Sequence, residues 1–201
     1  MEKPAITDFP LFEPIANRWS PAAFSGRPLS PGDIGSLFEA ARWASSCYNE
    51  QPWFFIIAAN GDSCEFERLL SCLVPGNQIW ARNASLLILT FANLTFVRNG
   101  KPNRHAWHDV GLAAQNLIVQ AMSMGLFAHQ MAGFDSDKVR TTYSVPDGVD
   151  PVTAIAIGYP GSKEDLPEEL QAREAAPRSR KPLSTILFQG MWGKNPSVLA
   201  K

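Results

Sequence analysis

The stretch from about His105 to Met124 constrains the fold more than any other part of this sequence. Val110, Ala113, Ala114, Leu117, Ile118 and Ala121 fall on one apolar stripe at helical spacing, and Gly125 follows as a C-terminal stop. The small alanines on that stripe let a second helix approach closely. Trp53 to Ala59, WFFIIAA, is a continuous apolar run bounded by turn residues and reads as a buried strand. Ser85 to Ala92 reads as a second buried strand, and Pro151 to Ile157 as a third, ended by Gly158-Tyr159-Pro160-Gly161. Ser30-Pro31-Gly32-Asp33 is a helix start: a serine N-cap, proline at the first helical position and an acid near the positive dipole end. Ile34, Leu37, Phe38 and Ala41 continue it. Asp62 to Leu73 carries Phe66, Leu69, Leu70 and Leu73 on a helical stripe, and a shorter helix starts at Asp135. Between Lys163 and Pro177 the chain is polar and loop-like, with room for a short helical piece. With helices and strands alternating but strands few, the expected class is an α+β layered fold.

The 201 residues suit one domain over 1–201, and 45% hydrophobic with 18% charged residues is globular composition. A formal net charge of -1 gives no global field for nucleic acid or an anionic membrane. The first twenty residues are broken by prolines and acids and lack the apolar core of a signal peptide. The apolar run LLILTFA is far too short to span a bilayer. Cys47, Cys64 and Cys72 have neither metal nor disulfide spacing, which suits free thiols in a reducing compartment; the expected location is cytoplasmic. Twelve Phe and six Trp fit a core, a dimer interface or an aromatic ligand pocket. The apolar tail PLSTILFQGMWGKN should pack somewhere, and a partner subunit is one candidate.

No GxGxxG, GxxxxGK[ST] or HExxH occurs, so the common nucleotide and zinc signatures are absent. Three other segments combine polar, small and cationic groups. In Asn17-Arg18-Trp19-Ser20, an arginine and a hydroxyl two residues apart on extended backbone can grip a phosphate; alternatively Arg18 is a surface loop residue. In Ala44-Ser45-Ser46-Cys47-Tyr48-Asn49-Glu50-Gln51, small residues at a helix end allow close backbone approach and offer hydrogen-bonding groups to a planar polar ligand. It also reads as a plain helix end and turn. Arg178-Ser179-Arg180-Lys181 is either a solvated run or a second phosphate clamp. His105 and His108, three apart, have no third metal ligand in the motif, and no metal is expected. His108-Asp109 reads as an acid–base pair or as residues serving the first turn of the helix.

Taken in order, RWSPAAFSGRPLS, AARWASSCYNEQPWFFII, GNQIWARNASLLILTFA, HDVGLAAQNLIVQAMSMGL, AIGYPG and RSRKPL resemble the nitroreductase family from about Arg18 to Gly193. The resemblance implies a mixed or antiparallel sheet flanked by helices, in an intertwined homodimer whose terminal segments wrap the partner and whose two FMN sites lie at the interface. It assigns Arg18 and Ser20 to the FMN phosphate and ribityl end, and Arg178 and Arg180 to the C-terminal side of that clamp. Ser45, Ser46, Cys47 and Asn49 then line the flavin ring, Asn77 its pyrimidine edge, and the Gly133 backbone approaches N5. The implied reaction is ping-pong hydride transfer from NAD(P)H through flavin N5 to a small acceptor such as a nitroaromatic or quinone, with no dedicated catalytic side chain.

Two positions depart from the family pattern. Ala22 stands where a basic residue usually lies near the flavin N1 and C2 carbonyl, and Trp80 where some members have a lysine. Without those cations the reduction potential should fall or FMN bind less tightly, unless Arg82 or Arg104 of another subunit compensates. Cys47, often a serine in the family, is either a redox thiol or a small packing residue. Rival readings are an FMN-dependent oxidase or dehydrogenase acting on another small molecule, and a flavin-binding member with little turnover.

Overall fold

The computed structural model describes residues 3–197. The domain read over 1–201 therefore extends at residues 1–2 and 198–201 beyond the described residues. In chain order the elements are α1 (Glu13–Asn17), α2 (Pro31–Arg42), β1 (Trp53–Ala59), α3 (Ser63–Leu70), α4 (Pro75–Ala81) and β2 (Leu86–Asn93). They continue with α5 (Ala106–Ser123), β3 (Phe127–Met131), α6 (Ser136–Tyr143), β4 (Val149–Gly158) and α7 (Glu168–Ala175). The four strands form one antiparallel sheet in the order β1-β2-β4-β3.

The sequence explains why this sheet is covered on both faces. In β2, alternate residues point to opposite sides, and Leu86 to Ala92 are all buried. Leu86, Ile88 and Ala92 join Leu37 and Ala41 of α2 and the apolar stripe of α5 in one core. Leu87, Leu89 and Phe91 join Phe66, Leu69 and Leu70 of α3 and Trp80 of α4 in the other. Each fully buried leucine or isoleucine contributes on the order of 1.5–3 kcal/mol. By contrast, surface pairs such as Glu65–Arg68, both about half exposed, contribute roughly 0–1 kcal/mol. The two cores hold the fold.

Local signals match. Ser30 and Asp33 form a reciprocal capping box at the start of α2. Asp62 and Asp135 cap α3 and α6. Gly125, at φ 72°, takes the left-handed conformation that ends α5. The α3 stripe stops at Leu70, and Cys72 and Leu73 form tight turns back to Leu69 and Leu70 before Pro75 starts α4. Neither β3 nor α4 was expected from the sequence. β1 is an edge strand paired only to β2, with Phe54 and Ile57 exposed. Beyond α7 the tail exposes Ile186, Met191 and Trp192, the last at 91%. No helix among the described residues is long and apolar enough to cross a membrane.

Candidate functional site

Arg18 and Ser20 lie on the irregular segment between α1 and Phe24, which bends at Ala22, and the Arg18 Nη1 donates to Ser20 Oγ at 3.3 Å. Arg178 comes from the other end of the chain. Its guanidinium donates to the carbonyls of Lys3 at 2.5 Å and Ala16 at 2.7 Å, pinning the N-terminal segment under the C-terminal one. Arg18, Arg178, Arg180 and Lys181 line one cavity of about 710 Å³, whose other walls include Ile6, Asp8 and Phe9. Among the described residues none of these cations is in an ion pair. Burial, followed by the charges of Arg178 and Arg180, lowers the Arg18 pKa from its ordinary value; burial and then Arg180 do the same to Arg178. Clustered guanidiniums with no carboxylate partner form a donor set that suits an anion such as a phosphate.

The second group is the loop from Ser45 to Gln51. Tyr48, Asn49 and Gln51 have φ values of 55°, 58° and 52°, a left-handed conformation uncommon for residues other than glycine. Such strain persists only where surrounding contacts enforce it. Here the Gln51 N–H donates to Ser46 Oγ at 3.0 Å, and the Gln51 amide donates to the Asn49 carbonyl at 3.1 Å. The Glu50 carboxylate accepts from the Val97 N–H. Asp109, only 2% exposed at the start of α5, accepts the Cys47 N–H at 2.9 Å and faces His108 Nδ1 at 3.1 Å. Neither earlier reading of Asp109 covers this: its carboxylate ties the loop to the helix. Ser45, Ser46 and Cys47 share a small cavity of about 170 Å³ with His105, His108 and Asp109.

Asp109→Ala would leave the Cys47 N–H without its partner at a partly buried position. We expect a loss of about 2 kcal/mol in urea unfolding. Asp109→Asn, which keeps an acceptor there, should lose less than half of that. Equal losses for the two variants would show that the charge, not the acceptor, holds the loop.

Asn77 and Gly133 form the third group. Asn77 Nδ2 donates to the Gly133 carbonyl at 2.9 Å, and the Val74 N–H donates to the same oxygen at 3.1 Å. A Cβ at position 133 would lie 2.6 Å from Asn77 Nδ2 and 2.9 Å from Val74 Cγ2, so any other residue would push these side-chain ends aside. The fold thus gathers Arg18, Ser20, Arg178 and Arg180 in one place, and Asn77 with Gly133 in another. Ser45, Ser46, Cys47 and Asn49 sit on the strained loop. Among the described residues no side-chain hydrogen bond joins that loop to either of the other groups.

The two departing positions have definite surroundings. Ala22 is buried, and its N–H and that of Ala23 donate to the carboxylate of Glu174 on α7 at 3.0 and 3.3 Å. Trp80 is buried and stacks on His129, ring centroids 4.5 Å apart. Arg82 is exposed and bonds the Gln78 carbonyl of its own helix. Sequence reasoning missed Asp109, His129 and Glu174 as site-building residues. For Glu174 the only signal was an acid within a segment expected to be loop-like.

Comparison with known proteins agrees with this architecture. The sequence model described as Nitroreductase family matches residues 15–159. A protein of Mycolicibacterium smegmatis, named as an uncharacterized 15.4 kDa protein in the ask 5' region, is 38% identical over 131 residues, 65% of this chain and 86% of its own length. An FMN reductase (NADPH) of Bacillus subtilis strain 168 is 28% identical over 178 residues, 78% of this chain and 70% of its own. A crystal structure described as an oxidoreductase containing FMN superposes with a TM-score of 0.89 at 33% identity, covering 94% of this chain and 96% of that one.

Proposed function

Because this chain belongs to the nitroreductase family, we propose that it is an FMN-dependent oxidoreductase that takes hydride from NAD(P)H and reduces a small acceptor such as a nitroaromatic or quinone. One observation carries the reading. Arg18, Arg178 and Arg180 arrive from opposite ends of the chain and meet, unpaired, on one cavity. A phosphate dianion fits that donor set, since charge-assisted bonds from planar guanidiniums are the strong form of phosphate recognition. The FMN content of a structure at 33% identity and the B. subtilis FMN reductase (NADPH) support the same cofactor.

When bound, the flavin ring accepts hydride from reduced nicotinamide and passes electrons to the acceptor. The chain's own contribution is binding and orientation. Arg18, Ser20, Arg178 and Arg180 hold the phosphate and ribityl end. Asn77 offers an amide to the pyrimidine edge, and the Gly133 backbone, against which Asn77 packs because no Cβ intervenes, would approach the ring beside it. Ser45, Ser46, Cys47 and Asn49 complete the ring's walls from a second copy. No side chain is required as acid or base.

We propose that the second copy is a homodimer partner wrapped by the terminal segments. Support comes from the exposed apolar tail, from the bare edge of β1, and from the different cavities that Ser45–Cys47 and the arginines line within one chain. Apolar surface of this extent on a tail is normally covered.

Purified protein is expected to be yellow, or to become yellow and dimeric by sedimentation when FMN is added, and to oxidise NAD(P)H faster with a nitroaromatic or quinone present. Protein that stays colourless with added FMN would sink the proposal. A second reading, an FMN-binding protein with little turnover, is favoured by Ala22 and Trp80, which bring no cation to the ring. Bound FMN without acceptor-dependent NAD(P)H consumption would select it.

A further inference from the structure

Three segments of the proposed cofactor site meet at one side chain. His129 lies on β3, four residues before Gly133, and is buried. Its Nδ1 is 2.8 Å from the Pro21 carbonyl oxygen. A carbonyl only accepts, so Nδ1–H is the donor, and in the neutral ring Nε2 holds the lone pair. Pro21 follows Ser20 directly and stands three residues after Arg18. On its face the imidazole stacks against Trp80, with an interplanar angle of 28°. Trp80 sits on α4 three residues after Asn77, on the same side of the helix. One ring therefore joins the Arg18–Ser20 segment, the Asn77 helix and the strand leading to Gly133.

The charges around His129 come from two elements. Arg18 acts from the Pro21 segment and Arg173 from α7. α4 presents the uncharged indole of Trp80, and Glu174, beside Arg173, is bonded to the N–H groups of Ala22 and Ala23. Burial first, then the charges of Arg173 and Arg18, hold the imidazole below the ordinary histidine value; the Pro21 carbonyl works in the opposite direction.

We propose that His129 is a positioning residue for the cofactor, coupling anion occupancy at Arg18 to protonation of the ring that fastens the Arg18–Ser20 segment to the Asn77 helix. This rests on the FMN reading. A phosphate dianion on Arg18 offsets one of the two charges that oppose an imidazolium. Once protonated, the ring keeps its bond to Pro21 as a charge-assisted donor and gains a cation–π contact with Trp80. A positive charge also returns beside positions 22 and 80. The occupied site is therefore held more tightly than the empty one.

The sign follows from linkage. The His129 pKa rises on binding, so a proton is taken up and FMN binds more tightly as pH falls from the occupied pKa towards the free one. The second ionisation of the FMN phosphate, near ~6, works the other way, and His129→Gln retains that effect alone.

The chain has three histidines, so their Cε1 proton resonances can be titrated individually by NMR. The wild-type protein would be measured alone, with inorganic phosphate, with riboflavin and with FMN. The His129 signal is the one lost in His129→Gln, or, if that variant does not fold, the one kept in both His105→Gln and His108→Gln. FMN and inorganic phosphate should raise the His129 pKa, while riboflavin, which lacks the phosphate, should not. For each unit of rise, FMN affinity in the wild type should gain up to about tenfold over His129→Gln as pH falls across that window. An unmoved His129 with FMN bound, or an equal shift with riboflavin, overturns the coupling. If FMN does not bind at all, the cofactor reading fails instead. Inorganic phosphate then decides the coupling alone: a raised His129 pKa that Arg18→Ala abolishes supports it, and no shift at saturation overturns it.

Discussion

Arg18→Ala should weaken FMN binding by about two orders of magnitude while leaving the cofactor-free protein at least as stable as before. A charge-assisted hydrogen bond contributes roughly 1.5–3 kcal/mol, and a bidentate guanidinium on a phosphate lies at the upper end of that range. The stability half of the prediction comes from repulsion. Arg18 is half-buried beside Arg178 and Arg180, without a carboxylate partner among the described residues. Removing one of three like charges relieves the folded state and costs only a 3.3 Å contact to Ser20. The two effects thus have opposite signs, which a merely structural arginine would not show. Arg178→Ala should behave differently, because its guanidinium also bonds the carbonyls of Lys3 and Ala16; affinity and stability should fall together. Arg18→Lys keeps the charge but loses the fork, and belongs between wild type and alanine. FMN fluorescence titration at fixed salt, with thermal melts of the cofactor-free proteins, measures all of this. Unchanged affinity in Arg18→Ala would remove Arg18 from the site.

Gly161→Ala should be the most damaging single methyl group that can be added to this chain near the site. Residues 159–161 run alongside residues 23–25. The Ser25 N–H donates to the Tyr159 carbonyl at 3.1 Å, the Gly161 N–H donates to the Ala23 carbonyl at 2.9 Å, and Phe24 bridges to Pro160. A Cβ at 161 would lie 2.6 Å from the Phe24 carbonyl carbon and 2.7 Å from its oxygen. Those are backbone atoms and cannot rotate away, unlike the side-chain ends that a Cβ at 133 would meet. The two segments must part, at a cost of about 3 kcal/mol or more. The displaced segment also carries Arg18 and Ser20, so FMN affinity should drop with stability. Urea unfolding checks the first effect and FMN titration the second. A variant that loses neither would show that the backbone can shift there freely.

What the sequence revealed, and what it hid, follows from how far apart the interacting groups lie. The α5 stripe, the serine and aspartate caps and the long apolar strands declare themselves within a dozen residues, and they stand where the spacing puts them. β3 reads FAHQM, five residues with two polar members, immediately after the helix stop at Gly125; nothing in so short a run distinguishes a strand. α4, seven residues opened by Pro75, was equally short of periodicity. Arg18, Ser20 and the 178–180 cations were visible as candidates because charge and hydroxyl group stand out locally. Asp109 stood out only as the neighbour of His108, and His129 and Glu174 not at all, because each acts on a backbone group 62, 108 or 152 residues away. A carboxylate that holds a distant N–H leaves no local pattern.

The uncovered edge of β1 matters for how the newly made chain behaves in a crowd. An edge strand with free backbone donors and acceptors, and with Phe54 and Ile57 turned outward, is a template for indiscriminate strand addition. A newly made chain carries that template together with an oily tail. A cover on this edge would therefore act as a guard against clumping, and the chain with its edge bare is the species most exposed to aggregation at high concentration.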